Sequence, residues 1–395
     1  MASYKDIIKK KQSEWKADDL MTGAHADSIA KIPLSSPFLN FALYGGIPRK
    51  RMTEFYGDPG SGKSTTAVDA CKNAHKLFVE EHKLYIEELR KKIANGNKGA
   101  ISDLQDAEEN GPRKVLYLDL EHGFDKKWAE TLGIRPGEVD VMQPPDVPAE
   151  EVLQTVQEIV ETGEVGFIVL DSLPSLVPKA ELEKKYGERT VASLAGLLTV
   201  FCRKIVPMLT RYDCTLLVIN QVRENMDNPY VVKTPGGVAP KFYASLRILF
   251  RLGTPVDFLG NELPQSTENP AGYNVQAKIT KQKSAPFDRK NASYILMCDS
   301  GIKPLYDYTK LAISKYGIVK KSGAWFTLCN PYTGEVMGDD KGMPVKLNGL
   351  AKVYAYLEAN TEYYDTIVKF IEDDLNGIPS SDESDSNIGV DDDNE

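Results

Sequence analysis

The chain has 395 residues, 42% of them hydrophobic and 27% charged, which excludes wholesale disorder. Its formal charge of −9 is unevenly placed, because ten acidic residues and no Lys or Arg lie beyond Phe370; the 57 acidic residues less these ten leave 47 against 48 basic ones. A nearly neutral body with an acidic end does not exclude nucleic acid as a partner. Cysteines at 71, 202, 214, 298 and 329 form no C-x-x-C pair, and histidines at 25, 75, 82 and 122 add no zinc-ligand spacing. They read as reduced, mostly buried thiols. The charged N-terminus MASYKDIIKKKQSEW has no apolar core, and no apolar run approaches the roughly 18 residues of a spanning helix. A cytoplasmic protein with no membrane partner is expected.

Residues 1–32 are expected to form an N-terminal arm, with a short helix over Ser3 to Leu20 whose apolar residues need a neighbouring surface. From Arg51 the pattern becomes strand, loop and helix in repetition. RMTEFYG, KVLYLDL (114–120), VGFIVLD (165–171) and CTLLVIN (214–220) are short aliphatic runs of the kind found in parallel strands covered on both faces. Helical stretches over Glu150 to Glu161 and Ser193 to Arg211 alternate with them. The fold class is therefore α/β, with a mostly parallel sheet. Strands at Leu246 to Leu252, Asn274 to Lys283 and Tyr294 to Cys298 follow without helices and imply an antiparallel extension. The Lys/Glu-rich stretch 76–112 reads as a helical insertion broken at Asn95-Gly96-Asn97 into a core spanning 33–300. A small α+β domain over 301–375 is expected, with helices at Pro304 to Tyr316, Pro344 to Leu357 and Glu362 to Leu375 around the strand GAWFTL. An acidic, low-complexity tail over 376–395 is expected to be disordered.

The strongest chemical signal is Gly57-Asp58-Pro59-Gly60-Ser61-Gly62-Lys63-Ser64, a complete G-x-x-x-x-G-K-[ST] between a strand and a helix, with Thr65 next in line. Glycines let backbone N–H groups wrap a phosphate, Lys63 reaches the β and γ oxygens, and the Ser64 hydroxyl can bind Mg²⁺. ATP with Mg²⁺ is the expected cofactor pair. Asp171 closes the strand GFIVLD, where a carboxylate can face the magnesium shell. Glu121, one strand along at the same edge, is the choice of general base, with Asp119 as competitor. Gln221 closes the fourth strand and reads either as a sensor of the γ-phosphate or as a polar strand cap.

The ordered series GDPGSGKS, LDLEHGFD, IVLDSLPSLVPKAELE, VINQVR, GGVAPKFYASLR, ITKQKSAPF and GAWF, spread over Ser35 to Leu375, resembles the RecA-type homologous recombinases. That resemblance implies a RecA-like P-loop ATPase core and a DNA-dependent ATPase that forms helical filaments on single-stranded DNA. It also implies pairing with homologous double-stranded DNA, and single-strand-binding and loader proteins as further partners. Glu121 is then the catalytic base and Gln221 the γ-phosphate sensor. Lys281 and Lys283 become cations donated to a neighbour's ATP, and Phe242 becomes an interface aromatic. Asp125 and Trp128 match the adenine-contacting region. Lys281 and Lys283 are two apart on a strand and so share one face, where paired lysines otherwise serve solubility.

Two loops are expected to face DNA. One carries Lys184, Lys185, Tyr186 and Arg189; the other carries Arg223, Asn225, Tyr230, Lys233, Thr234, Gly236 and Gly237. Cations would meet phosphates, the paired glycines would admit backbone amides, and the tyrosines would stack on bases. The 76–112 stretch and the DNPYVV segment depart from the family pattern and fit a divergent, phage-encoded member. A ring helicase on the same core and an ATP-gated DNA-binding adaptor are the rival readings.

Overall fold

The computed structural model describes residues 29–185, 194–223, 233–339 and 342–375, together with positions 3, 6, 10, 11 and 14. The expected helix over Ser3 to Leu20 falls mostly outside the described residues, as does the tail 376–395. Met1–Ala30 is a unit of its own, in which Ser3 Oγ donates to Asp6 and Lys11 pairs with Glu14.

Each long apolar run of the core becomes a strand. The elements in order are β1 (Lys31–Ile32), α1 (Pro37–Leu43), β2 (Ile47–Pro48), β3 (Met52–Gly57), α2 (Lys63–Ala94), α3 (Ala100–Asn110), β4 (Lys114–Asp119), α4 (Lys126–Thr131), β5 (Asp140–Met142), α5 (Ala149–Thr162) and β6 (Val165–Asp171). There follow α6 (Lys179–Leu182), α7 (Leu194–Arg211), β7 (Thr215–Gln221), α8 (Ala239–Tyr243), β8 (Leu246–Val256), β9 (Gly272–Gln282), β10 (Asn291–Met297) and β11 (Gly301–Ile302). Nine of these strands form one sheet in the order β11-β10-β9-β8-β3-β7-β6-β4-β5. From β8 to β5 the pairs are parallel, and β9 to β11 add antiparallel strands.

Strand periodicity divides the core. Phe55, Tyr117, Phe167, Leu217, Ile248 and Val275 pack with Ala67, Cys71 and Phe78 of α2 on one face. Met52, Leu118, Ile168, Leu170 and Val218 pack with Val156 of α5 and Ile205 of α7 on the other. Gly166 makes room for α2, since a Cβ there would lie 2.6 Å from the Phe78 ring.

The helix that opens at the P-loop is 32 residues long, about 48 Å at 1.5 Å per residue. Its buried residues run from Lys63 to Phe78, with Leu89 beyond. The stretch 76–112 therefore begins as a continuation of α2 rather than as a separate helix. After the Asn95–Gly99 turn α3 packs back against it, and Arg90 pairs with Glu108 at 3.0 Å.

The C-terminal part contains α9 (Pro304–Ser314), β12 (Val319–Ser322), β13 (Trp325–Leu328), β14 (Lys346–Asn348), α10 (Leu350–Ala359) and α11 (Thr361–Leu375). The expected helix from Pro344 begins only at Leu350. Lys346–Asn348 instead pairs with Trp325–Thr327, and Gly349, at φ 88°, separates that strand from the helix.

Asp307 of α9 is fully buried and accepts from Ser36 Oγ at 2.5 Å, while Ser36 caps α1 by accepting from Leu39 N. Burial raises the Asp307 carboxyl from 3.8 to about 7, against the lowering effect of Ser36. A carboxyl raised on folding favours the native state while protonated, and that stability is lost as pH rises from the unfolded value through the folded one. The Tm of the native chain relative to Asp307→Asn should therefore fall between about pH 4 and pH 7. A pH-independent difference in thermal melts would refute this.

Candidate active site

Parallel strands bring the functional loops to one edge. Gly57 ends β3 at φ 155°, and Gly60 and Gly62 lie at φ 72° and 89°. A Cβ on Gly57 would stand 2.1 Å from the Phe250 carbonyl oxygen, so only glycine lets the chain leave the sheet here. Gly62 caps α2, and Thr66 Oγ1 donates to its carbonyl at 2.7 Å while meeting the Tyr294 hydroxyl at 2.6 Å. These contacts anchor the helix start on β10.

Lys63 is 7% exposed and its Nζ donates to the Asp58 carbonyl at 2.7 Å. Burial lowers its pKa, and the charges of Asp171, Glu121 and Asp58 oppose that shift. Asp171 receives hydrogen bonds from Tyr117 (2.5 Å) and Ser64. Its pKa is nevertheless raised, first by burial and further by Glu121 and Asp119.

The two candidate bases differ in their surroundings. Asp119, buried, accepts from Glu121 N at 3.1 Å, Phe124 N at 2.8 Å and Gln143 Nε2 at 2.8 Å. Its oxygens are committed to holding the loop that follows β4. Glu121 is exposed; Oε1 accepts from Ser172 Oγ and, at 3.1 Å, from Gln221 Nε2. Ser172 and Ser175 lie inside IVLDSLPSLVPKAELE but drew no role from it, and Gln143 lies outside every motif. A cavity of about 300 Å³ opens beside Ser64, Thr65, Glu121, Asp125, Trp128 and Asp171. Asp125 caps α4 by accepting from Trp128 N at 2.6 Å, which holds the indole at the cavity wall.

The residues fit a magnesium ion. Among the described residues no cluster of three or more His, Cys, Asp or Glu is arranged to hold a metal alone, but Mg²⁺ takes one or two protein oxygens and completes its shell with phosphate and water. Ser64 and the buried, charge-crowded Asp171 offer that donor set.

Lys281, Lys283 and Phe242 lie elsewhere. Lys281 pairs in register with Arg247 and thus with the level of Glu54, three residues before Gly57 on β3, about 10 Å down the strand. Its Nζ donates to the Lys241 and Phe242 carbonyls at 2.6 and 2.8 Å, and Lys283 Nζ donates to Phe242 O at 3.3 Å. Burial, helped by Lys283 and Arg247, lowers Lys281 to about 8. Phe242 is 70% exposed beside them.

The two candidate DNA loops leave the P-loop edge from adjacent strands, β6 and β7. Lys184, Lys185, Arg223 and Lys233 are exposed, and Arg223 N donates to Lys233 O at 2.8 Å across the stem of the second loop. Tyr186, Arg189, Asn225 and Tyr230 lie outside the described residues. Thr234 is buried. Gly236 and Gly237 have φ 83° and 77°, and a Cβ on them would meet Leu198 and Ala195 of α7 at 2.5 and 2.7 Å. Close packing on α7 thus demands both glycines.

A strand, a phosphate-binding loop, a helix and a strand-end carboxylate two strands away define a P-loop nucleotide-binding protein on a RecA-like sheet. The family model described as the RecA N-terminal domain matches residues 97–303. The chain is 31% identical to Protein RecA of Chlorobaculum tepidum over 356 residues, 89% of this chain and 86% of that one. It is 31% identical to Protein RecA of Porphyromonas gingivalis over 78% of each chain, and 32% identical to that of Thermus aquaticus over 75% of each. The chain belongs to the RecA family of recombinases, which act with ATP in recombination and repair. Among the described residues no helix is long and apolar enough to cross a membrane.

Removing the Asp119 carboxylate would leave three donors without their acceptor. Asp119→Ala should cost about 1–3 kcal/mol in urea denaturation; an unchanged midpoint would show that the loop is held by other means.

Proposed function

We propose that the chain is a DNA-dependent ATPase that assembles as a filament on single-stranded DNA and pairs it with homologous duplex. One observation carries this reading: Gln221 donates to Glu121 at 3.1 Å. That contact joins the candidate base at the P-loop edge to the end of β7, from which the second DNA loop departs. Mg·ATP, when bound at Gly57 to Thr65 with Ser64 and Asp171 on the ion and Asp125 and Trp128 near the base, supplies the phosphoanhydride to be cleaved. Gln221 turning toward a γ-phosphate releases one acceptor site on Glu121, which then orients and deprotonates a water. The same turn displaces the β7 end and the stem from Arg223 to Lys233.

Lys281 and Lys283 sit too far down the sheet for their own P-loop, which supports their donation to a neighbouring subunit's nucleotide. Phe242 beside them gives that contact an apolar centre. Cations on both loops would meet the phosphate backbone, with affinity accumulating along the filament.

Single-stranded DNA should strongly stimulate ATP hydrolysis; rapid turnover without DNA would favour a helicase-type motor, and nucleotide binding without turnover an adaptor. Glu121→Gln should retain ATP binding and lose about 100-fold or more in rate. Glu121→Gln and Lys281→Ala should each be inactive alone. Mixed in equal amounts they should recover about a quarter of the native rate, the share of head-to-tail contacts that pair an intact Glu121 with an intact Lys281. No recovery in mixtures that co-assemble would exclude donation across the interface.

A further inference from the structure

Glu54 lies on the central strand β3 and is 0% exposed. Its neighbours on the same core face, Met52, Leu216 and Val218, are apolar. An ionic group buried there contributes little to stability relative to a well-packed apolar residue, so its partners matter. Oε1 accepts from Asn220 Nδ2 at 2.9 Å, and Oε2 accepts from Arg247 Nε at 2.5 Å.

Both partners lead to functional edges. Asn220 Nδ2 also donates to the Pro235 carbonyl at 3.2 Å, on the return stem of the second DNA loop, and Asn220 Oδ1 accepts from Gln221 N at 2.9 Å. Gln221 in turn touches Glu121. Arg247 stacks over the Tyr56 ring at 4.4 Å and pairs in register with Lys281, whose ammonium rests on the Phe242 carbonyl. A file of hydrogen bonds therefore crosses the buried centre of the sheet from Glu121 to Arg247, which stands in backbone register with Lys281.

We propose that Glu54 is a positioning residue whose buried carboxylate ties the β7 end and the second-loop stem to the Arg247–Lys281 edge, so that DNA engagement at one edge of the sheet is felt at the subunit contact on the other. This rests on the recombinase reading above. Glu54 touches no reacting atom; it acts through Asn220 and Arg247. Both donate to it, so a glutamine there, with one acceptor and one donor end, must break one of the two bonds.

The test is Glu54→Gln in the full chain, with folding, nucleotide affinity and ATP turnover measured with and without single-stranded DNA. Nucleotide affinity and DNA-free turnover should stay within about twofold of native, while stimulation by DNA falls by about tenfold. A purely structural role would not separate those readouts. The double variant Glu54→Leu/Arg247→Met removes both charges together, which an apolar core tolerates, and should show the same selective loss. Native-like stimulation in either folded variant would overturn the proposal, and so would unfolding of both, which would make Glu54 structural. If the native chain itself shows no DNA stimulation, the recombinase reading fails and this inference falls with it.

Discussion

Parallel strands release their loops on a single edge, and β3, β4, β6 and β7 bring Gly57, Asp119, Asp171 and Gln221 to it. The remaining chemistry depends on that alignment. Because β3 lies between β8 and β7, the phosphate loop is flanked on one side by strands carrying the carboxylates. On the other side lie strands whose far ends carry Lys281 and Lys283. A single sheet thereby presents a P-loop edge and an opposite edge of cations.

Crowding three carboxylates beside one lysine creates an electrostatic problem that is met differently for each. Asp119 is satisfied by three amide donors and becomes scaffold. Asp171 is held by hydroxyls of Tyr117 and Ser64, which compensate its burial only in part. Glu121 stays exposed, with a side-chain hydroxyl and a side-chain amide as its donors. Of the three, only Glu121 keeps the access that a proton acceptor needs.

Legibility followed the range of the interactions. The P-loop could be read because its spacing is local, and the parallel strands because burial on both faces makes them continuous apolar runs. The start of α10 could not, since Pro344 to Asn348 satisfies helix and strand alike until Trp325–Thr327 is present to pair with it. Glu54 was hidden for a related reason. In TEFYG it looks like the polar half of an alternating strand, and its partners lie 166 and 193 residues away. Gly236 and Gly237 were legible as glycines, but the α7 side chains that require them were not.

The long α2 is fixed at its start by Gly62, Thr66 and Tyr294 and leaves the core beyond Phe78. Over about 48 Å of helix a tilt of roughly 5° at the phosphate loop would sweep the far end through about 4 Å. The returning α3 is braced against α2 through Arg90 and Glu108 and leads directly into β4, the strand before Glu121. The pair thus gives the chain a second route, outside the sheet, from the phosphate loop to the strand that precedes the candidate base.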